Sequence, residues 1–191
     1  MKKIAAALTL FLLLFPIGAC AESETHLSAD GIYEYTADGV VTAYYGGDAV
    51  AVPPFIDGVE IKKIGEMAFF DLGISTVYIE DGIEEIGKSA FEGCNIIYAN
   101  IPATVQQIDA CAFANCVNLT EVTLGSEQIA FGKNVFSGIG AIDFCVPCTA
   151  DQNELKQKIS AAKDDDNFSL SVFHLNLAES MTEKDIYGEN M

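Results

Sequence analysis

The feature that most constrains this chain is a phrase it repeats. "IEDGIEEIGKSAFEGCNIIYAN" (79–100) is followed at once by "IPATVQQIDACAFANCVNLTEVTL" (101–124), the same wording with its polar letters changed. With the closing aliphatics in register, Ile79, Ile101, Leu124 and Val146 recur at spacings of 22, 23 and 22. Further columns move in step. An Ala-Phe pair recurs as Ala68-Phe69, Ala90-Phe91 and Ala112-Phe113 and loosens to Val135-Phe136, and Ile64, Ile86, Ile108 and Phe131 stand five residues before each Phe. Self-similarity at a period of this size is the mark of a solenoid, in which one supersecondary unit is stacked on copies of itself.

Each unit ends in a strand pattern. "LTEVTL" places Leu119, Val122 and Leu124 inward and Glu121 and Thr123 outward, and its counterparts are "ISTVYI" from Ile74, "IIYANI" from Ile96 and "AIDFCV" from Ala141. All four fit an L-x-x-L-x-L skeleton with aliphatic or aromatic substitutes. A single coil cannot bury both its strand face and its Phe. Stacked coils join like positions into ladders, so Phe69, Phe91, Phe113 and Phe136 are expected to lie over one another. The residues after the turn aliphatics, Gly65, Gly87, Asp109 and Gly132, are types that enter left-handed backbone cheaply and so predict a recurrent bend.

"IEEIGKSAFEGC" and "VQQIDACAFANCVNLTEVTL" resemble the BspA-like leucine-rich repeat family, whose unit runs through Ile-Pro, a short turn, Ile-Gly, Ala-Phe, a small-residue turn and a Leu-rich strand. The resemblance spans about Tyr33 to Cys148. It loosens in the last coil, which lacks strict Ile-Gly and Ala-Phe pairs, and in the first, which carries the longer "VPPFIDGVEIKKIG". It implies a right-handed, mainly β solenoid with short helical turns, about four coils deep, in a secreted or surface-attached protein that binds other macromolecules. It supplies no catalytic residue.

The segments outside the repeats divide by composition. Residues 1–19 open with Lys2 and Lys3 and an apolar run from Ile4 to Ile17, too short to span a hydrocarbon core of roughly 30 Å but suited to an export signal. Ile17, Gly18, Ala19 and Cys20 resemble a bacterial lipobox, which would make Cys20 the lipidated N-terminus of the mature chain. Residues 20–30 then form a polar tether that includes His26, and 31–52 form a hairpin cap turning at Asp38-Gly39. The repeats occupy 53–148. Residues 149–177 are a C-terminal cap of helix plus strand, with Leu155, Ile159 and Ala162 at helical spacing, and 178–191 are an acidic tail.

Charge removes several function classes. The chain holds 28 acidic against 10 basic residues, a net charge of −18, which repels nucleic acid and anionic headgroups; the membrane contact expected is the lipid anchor alone. No cofactor or metal is expected. Cys94 and Cys116 share a repeat column, where buried thiols, a disulfide and a shared metal are the alternatives, and Cys111 precedes the core Ala-Phe pair. Cys145-Val146-Pro147-Cys148 lacks both the second ligand pair of a zinc site and the helix start of a redox motif, leaving a local disulfide open. His174 could act as a base for Cys145 or simply belong to the cap, and Asp164 to Asp166 lack the spacing of a calcium loop.

The remaining chemistry is the outward strand face: Thr76 and Tyr78, Tyr98 and Asn100, Glu121 and Thr123, Asp143 and Cys145. Tyrosine with Asn or Thr offers flat apolar area plus hydrogen bonds, suited to a protein or glycan partner. The expected role is therefore a non-catalytic module displayed at the cell surface for adhesion or recognition. A thiol-dependent secreted enzyme centred on Cys145 and a passive envelope protein are the alternatives.

Overall fold

The computed structural model describes residues 24–147, 150–162 and 170–175. From the N-terminus the strands are β1 (Thr25–Leu27), β2 (Tyr33–Thr36), β3 (Val40–Tyr44), β4 (Ala49–Val52) and a two-rung hairpin of β5 (Phe55–Ile56) and β6 (Val59–Glu60). Two-residue and longer strands then alternate: β7 (Lys63–Ile64), β8 (Thr76–Ile79), β9 (Glu85–Ile86), β10 (Tyr98–Ile101), β11 (Gln107–Ile108), β12 (Glu121–Leu124), β13 (Ala130–Phe131) and β14 (Ile142–Pro147). Helix α1 (Gln152–Ala161) and β15 (Leu170–Leu175) follow.

The alternation builds two sheets, one on each side of the stack. Sheet A has the order β1-β2-β3-β7-β9-β11-β13, and sheet B the order β4-β8-β10-β12-β14-β15. From β3 onward in sheet A, and throughout sheet B, neighbours are parallel, because each strand is the same part of the next coil. Ile101 pairs with Leu124 in register, so the sequence columns are the structural rungs. The result is a mostly β solenoid of about five turns with one short helix.

The interior is the predicted ladder. Phe69, Phe91, Phe113 and Phe136 are buried and stack with ring centroids 4.8, 5.2 and 5.9 Å apart and interplanar angles of 18°, 11° and 14°. Each such ring gains about 1.5–3 kcal/mol from burial and about 0.5–1.5 kcal/mol from its aromatic neighbours. Tyr44 continues the column at 5.2 Å from Phe69, and Phe144 closes the other end edge-on to Phe136 at 5.3 Å. Ile64, Ile86 and Ile108 from sheet A and Val77, Ala99, Val122 and Phe144 from sheet B fill the two sides.

Three expectations change. Val40–Val52, expected to lie wholly in a cap, supplies the first turn: β3 pairs with β7 and β4 with β8. The β5–β6 hairpin inserted after it breaks the 22-residue period that marks the later turns. Secondly, the tether expected over 20–30 contains a strand. β1 pairs antiparallel with β2, the His26 ring lies 5.9 Å from Tyr35, and Thr25 hydrogen-bonds to the Glu34 carboxylate. A hairpin at the end of a sheet presents unpaired backbone groups, and β1 covers them despite its polar composition.

Thirdly, the left-handed residues are not the Gly65, Gly87, Asp109 and Gly132 column but the positions two further on: Met67, Ser89, Cys111 and Asn134, with φ of 58°, 53°, 60° and 58°. The glycines serve close approach. A Cβ at Gly65 would lie 2.6 Å from the Val41 carbonyl oxygen, and one at Gly87 2.7 Å from that of Ile64, where the Gly87 N–H donates at 2.8 Å. A side chain there would push the coils apart.

The ends are closed by different means. The carbonyls of Asp48, just before β4, and of Val52 at its end accept from the next coil, which leaves those of Ala49 and Ala51 on the open edge. The Tyr33 hydroxyl donates to Ala51 O at 2.6 Å and the Tyr44 hydroxyl to Ala49 O at 3.4 Å. Burial raises the Tyr33 pKa well above the ordinary phenol value, so the donor keeps its proton. At the other end α1 covers β13. Its N-cap Asp151 accepts from Asn153 and Glu154, Lys158 Nζ donates to Glu127 O at 3.1 Å, and Leu155 and Ile159 are buried.

Candidate functional site

Sheet B shows solvent a field built from alternate residues of parallel strands, since side chains one apart point to opposite faces. The register sorts the outward residues into two rows. Ala49, Thr76, Tyr98, Glu121 and Asp143 form one; Ala51, Tyr78, Asn100, Thr123 and Cys145 form the other. All seven residues named from the sequence, Thr76, Tyr78, Tyr98, Asn100, Glu121, Thr123 and Asp143, thus lie on one face of four adjacent strands. Strands about 4.8 Å apart bring together residues far apart in the chain.

Local geometry fixes several of these groups. The Tyr98 hydroxyl lies 3.2 Å from Thr123 Oγ1, so its ring leans diagonally across the gap from β10 to β12, beside Glu121, its register partner. Cys145 Sγ lies 3.7 Å from Glu121 Oε1. Desolvation, followed by the charges of Glu121 and Asp143, raises the Cys145 pKa and keeps this thiol protonated, the reverse of what a nucleophilic cysteine needs. Cys148, its expected partner, lies outside the described residues.

The sequence reading passed over the rim where the sheet B strands begin. Ile97 is 51% exposed and Val117 69% exposed, on adjacent coils, flanking the paired amides of Asn95 and Asn118. Thr120 donates to Ile97 O through both its N–H (3.0 Å) and its Oγ1 (3.2 Å). Signals existed for both. The repeat skeleton assigns Ile96, Ala99 and Ile101 to the core and leaves Ile97 as an aliphatic with no inward place. Val117 is the extra residue that lengthens the second spacing to 23.

The other candidates are structural. Cys94 Sγ donates to Phe69 O at 2.9 Å and Cys116 Sγ to Phe91 O at 3.0 Å, each thiol satisfying a carbonyl of the preceding coil. Burial pushes their pKa values up to about 11 and about 12. Cys111 occupies a left-handed turn. His174 is paired through its backbone with Val146; Cys20, the 1–19 segment, Asp164 to Asp166 and the 178–191 tail lie outside the described residues. Among the described residues no three His, Cys, Asp or Glu side chains group to hold a metal, and no helix is long and apolar enough to cross a membrane. The recess lined by Tyr44, Tyr45, Leu72 and Ile74, about 540 Å³, is broad and open.

Known proteins resemble this arrangement. The sequence pattern described as "BspA type Leucine rich repeat region" matches residues 56–156 in six copies, more than half of the 191 residues. Among solved structures, a leucine-rich repeat protein from Bacteroides capillosus is 21% identical, with 77% of this chain and 92% of that one covered and a TM-score of 0.48. A leucine rich cell surface protein from Faecalibacterium prausnitzii is also 21% identical at a TM-score of 0.49, over 66% of this chain and 46% of its own. A leucine rich repeat protein from T. pallidum is 18% identical, with 82% of each chain covered and a TM-score of 0.43. No curated protein matches the sequence.

Proposed function

Because the chain belongs to the BspA type leucine-rich repeat family, we propose that it is a non-catalytic binding module, displayed at the bacterial cell surface, that recognises a protein partner through the outward face of sheet B. The observation that carries this reading is the register. Four rigid neighbouring strands align Tyr78, Tyr98, Asn100 and Thr123 into one patch with the acidic pair at its end. Rigid presentation lowers the ordering cost of association, and aromatic anchors usually carry the largest share of binding energy. Ile97 and Val117 extend the patch over the rim as apolar contacts.

Display rests on the N-terminal segment. Export and lipidation at Cys20 would tether the solenoid by its hairpin end and leave sheet B free to meet a partner. Cys20→Ser is expected to abolish fatty-acid labelling and release the protein from the detergent phase; unchanged labelling would remove the anchor.

The binding face is tested with partners captured from host or cell-envelope extract. Tyr78→Ala and Tyr98→Ala, each checked for folding, are expected to weaken capture at least about tenfold, close to 1.4 kcal/mol. A Cys145→Ser, Cys148→Ser double variant is expected to bind normally. The opposite pattern would move function from the sheet to the thiols.

A further inference from the structure

Charge is distributed unevenly over the repeats. Lys62, Lys63 and Lys88 all lie on the side of sheet A, and each is neutralised within the protein: Lys62 by Glu60 and Glu84, Lys63 by Glu85, Lys88 by Glu66. Strands β4, β8, β10, β12 and β14 contain no Lys or Arg. Glu121 and Asp143 are register partners on neighbouring strands, which lie about 4.8 Å apart across the sheet. Among the described residues neither takes part in an ion pair. Like charges directly opposite one another in a sheet repel, and among the described residues the contact to Glu121 is the neutral Cys145 thiol, with no basic side chain paired to either carboxylate.

Beside the pair stands Tyr98, on the other side of Glu121, with its ring leaning towards β12. A carboxylate pair next to an aromatic face suits a cation with an apolar stem. The charged head gains from two carboxylates and the stem from the ring, and a guanidinium or ammonium near the face gains further from the ring quadrupole. A neutral glycan could donate its hydroxyls to the carboxylates but brings no charge to balance them. Nucleic acid and anionic lipid would be repelled.

We propose that the partner docks through Lys or Arg side chains of a protein segment, the cationic head lying between Glu121 and Asp143 and the stem crossing Tyr98. This rests on the reading of sheet B as the binding face and adds the chemistry of what it binds. The Cys145 thiol, whose pKa both carboxylates raise, reports on the same field from the adjacent row.

The test is an NMR titration of the isotope-labelled full chain at physiological salt. The probe is a blocked Gly-Arg-Gly-Lys-Gly peptide, compared with the same peptide carrying citrulline and acetyl-lysine. The basic peptide is expected to shift amides of β10, β12 and β14. Glu121→Gln with Asp143→Asn is expected to weaken it at least tenfold, while Glu60→Gln with Glu84→Gln, which removes the same charge from the side of sheet A, leaves it within twofold. Equal weakening by both pairs, or no shift in β10, β12 and β14 at millimolar peptide, would overturn the proposal. Equal shifts of these strands by the citrulline peptide would also overturn it while leaving sheet B as the binding face. Captured partners that bind Tyr78→Ala and Tyr98→Ala like the parent would remove the binding face itself.

Discussion

The two sheets share one backbone plan and one interior, yet their outer faces differ in kind. Sheet A rungs are two residues long where the repeats run, and three lysines on its side, Lys62, Lys63 and Lys88, are matched across coils: Lys63 faces Glu85 in register and forms an ion pair with it. Sheet B rungs are longer, carry two tyrosines near the middle and end in an acidic pair with no internal cation among the described residues. Stacking requires neither arrangement, since inward residues alone hold the coils. The proposed binding face is thus the one on which, among the described residues, no lysine is paired with the acidic side chains.

The contrast presupposes one core behind both faces, and removing part of that core should have the largest effect. Phe113→Ala deletes the ring between Phe91 and Phe136 and is expected to cost about 3–5 kcal/mol by urea denaturation. A cost below about 1 kcal/mol would mean that the faces do not share a continuous interior.

The buried thiols probe the same interior through pH. Cys94 and Cys116 have pKa values near 11 and near 12 in the folded chain, against about 9 when unfolded. The unfolded chain therefore releases these protons first. No stability is lost below about pH 9, and above it each thiol contributes a loss of up to about 1.4 kcal/mol per pH unit until its folded pKa is reached. Denaturation midpoints measured from pH 8 to 11 should fall accordingly. Cys116→Ala should flatten the decline; an unchanged slope would show that the thiols are not the titrating groups.

The matching of charges is tested directly by paired variants. Lys63→Ala is expected to destabilise by less than about 1 kcal/mol, an effect that 1 M salt erases. Glu121→Gln should be neutral or stabilise by a few tenths of a kcal/mol, because it relieves repulsion from Asp143. If Glu121→Gln destabilises more than Lys63→Ala, sheet B is internally balanced after all. The smallest effect concerns Cys145. Glu121→Gln with Asp143→Asn should lower its thiol pKa and speed alkylation by iodoacetamide at pH 8, whereas Glu85→Gln should not.

The parts of this structure legible from sequence are those in which one side chain meets its own copy. Phe69, Phe91, Phe113 and Phe136 must be large and apolar because each packs against the last, so the column is written in the letters. The two rows of sheet B follow from strand alternation once the register is known. What stayed hidden depends on contacts between unlike parts. The first turn is masked by the inserted β5–β6 hairpin, and β1 is polar yet paired with β2. The glycine column looks like turn chemistry because a residue needing left-handed backbone and one needing bare space against a carbonyl are spelled with the same letter. Ile97 and Val117 are apolar and exposed, and hydropathy alone assigns such residues inward.

Tyr33 and Tyr44 have a consequence for how such a chain can change length. Their hydroxyls occupy the edge carbonyls of β4, while the Tyr44 ring occupies the stacking place before Phe69. A further coil therefore has nowhere to attach at that end without displacing both. A duplicated unit inserted between β8 and β14 meets parallel strands of the same kind above and below and leaves the terminus untouched. Growth and loss by whole units are thus channelled to the middle of the stack, and the rows of the outer face lengthen or shorten there while the hairpin persists unchanged.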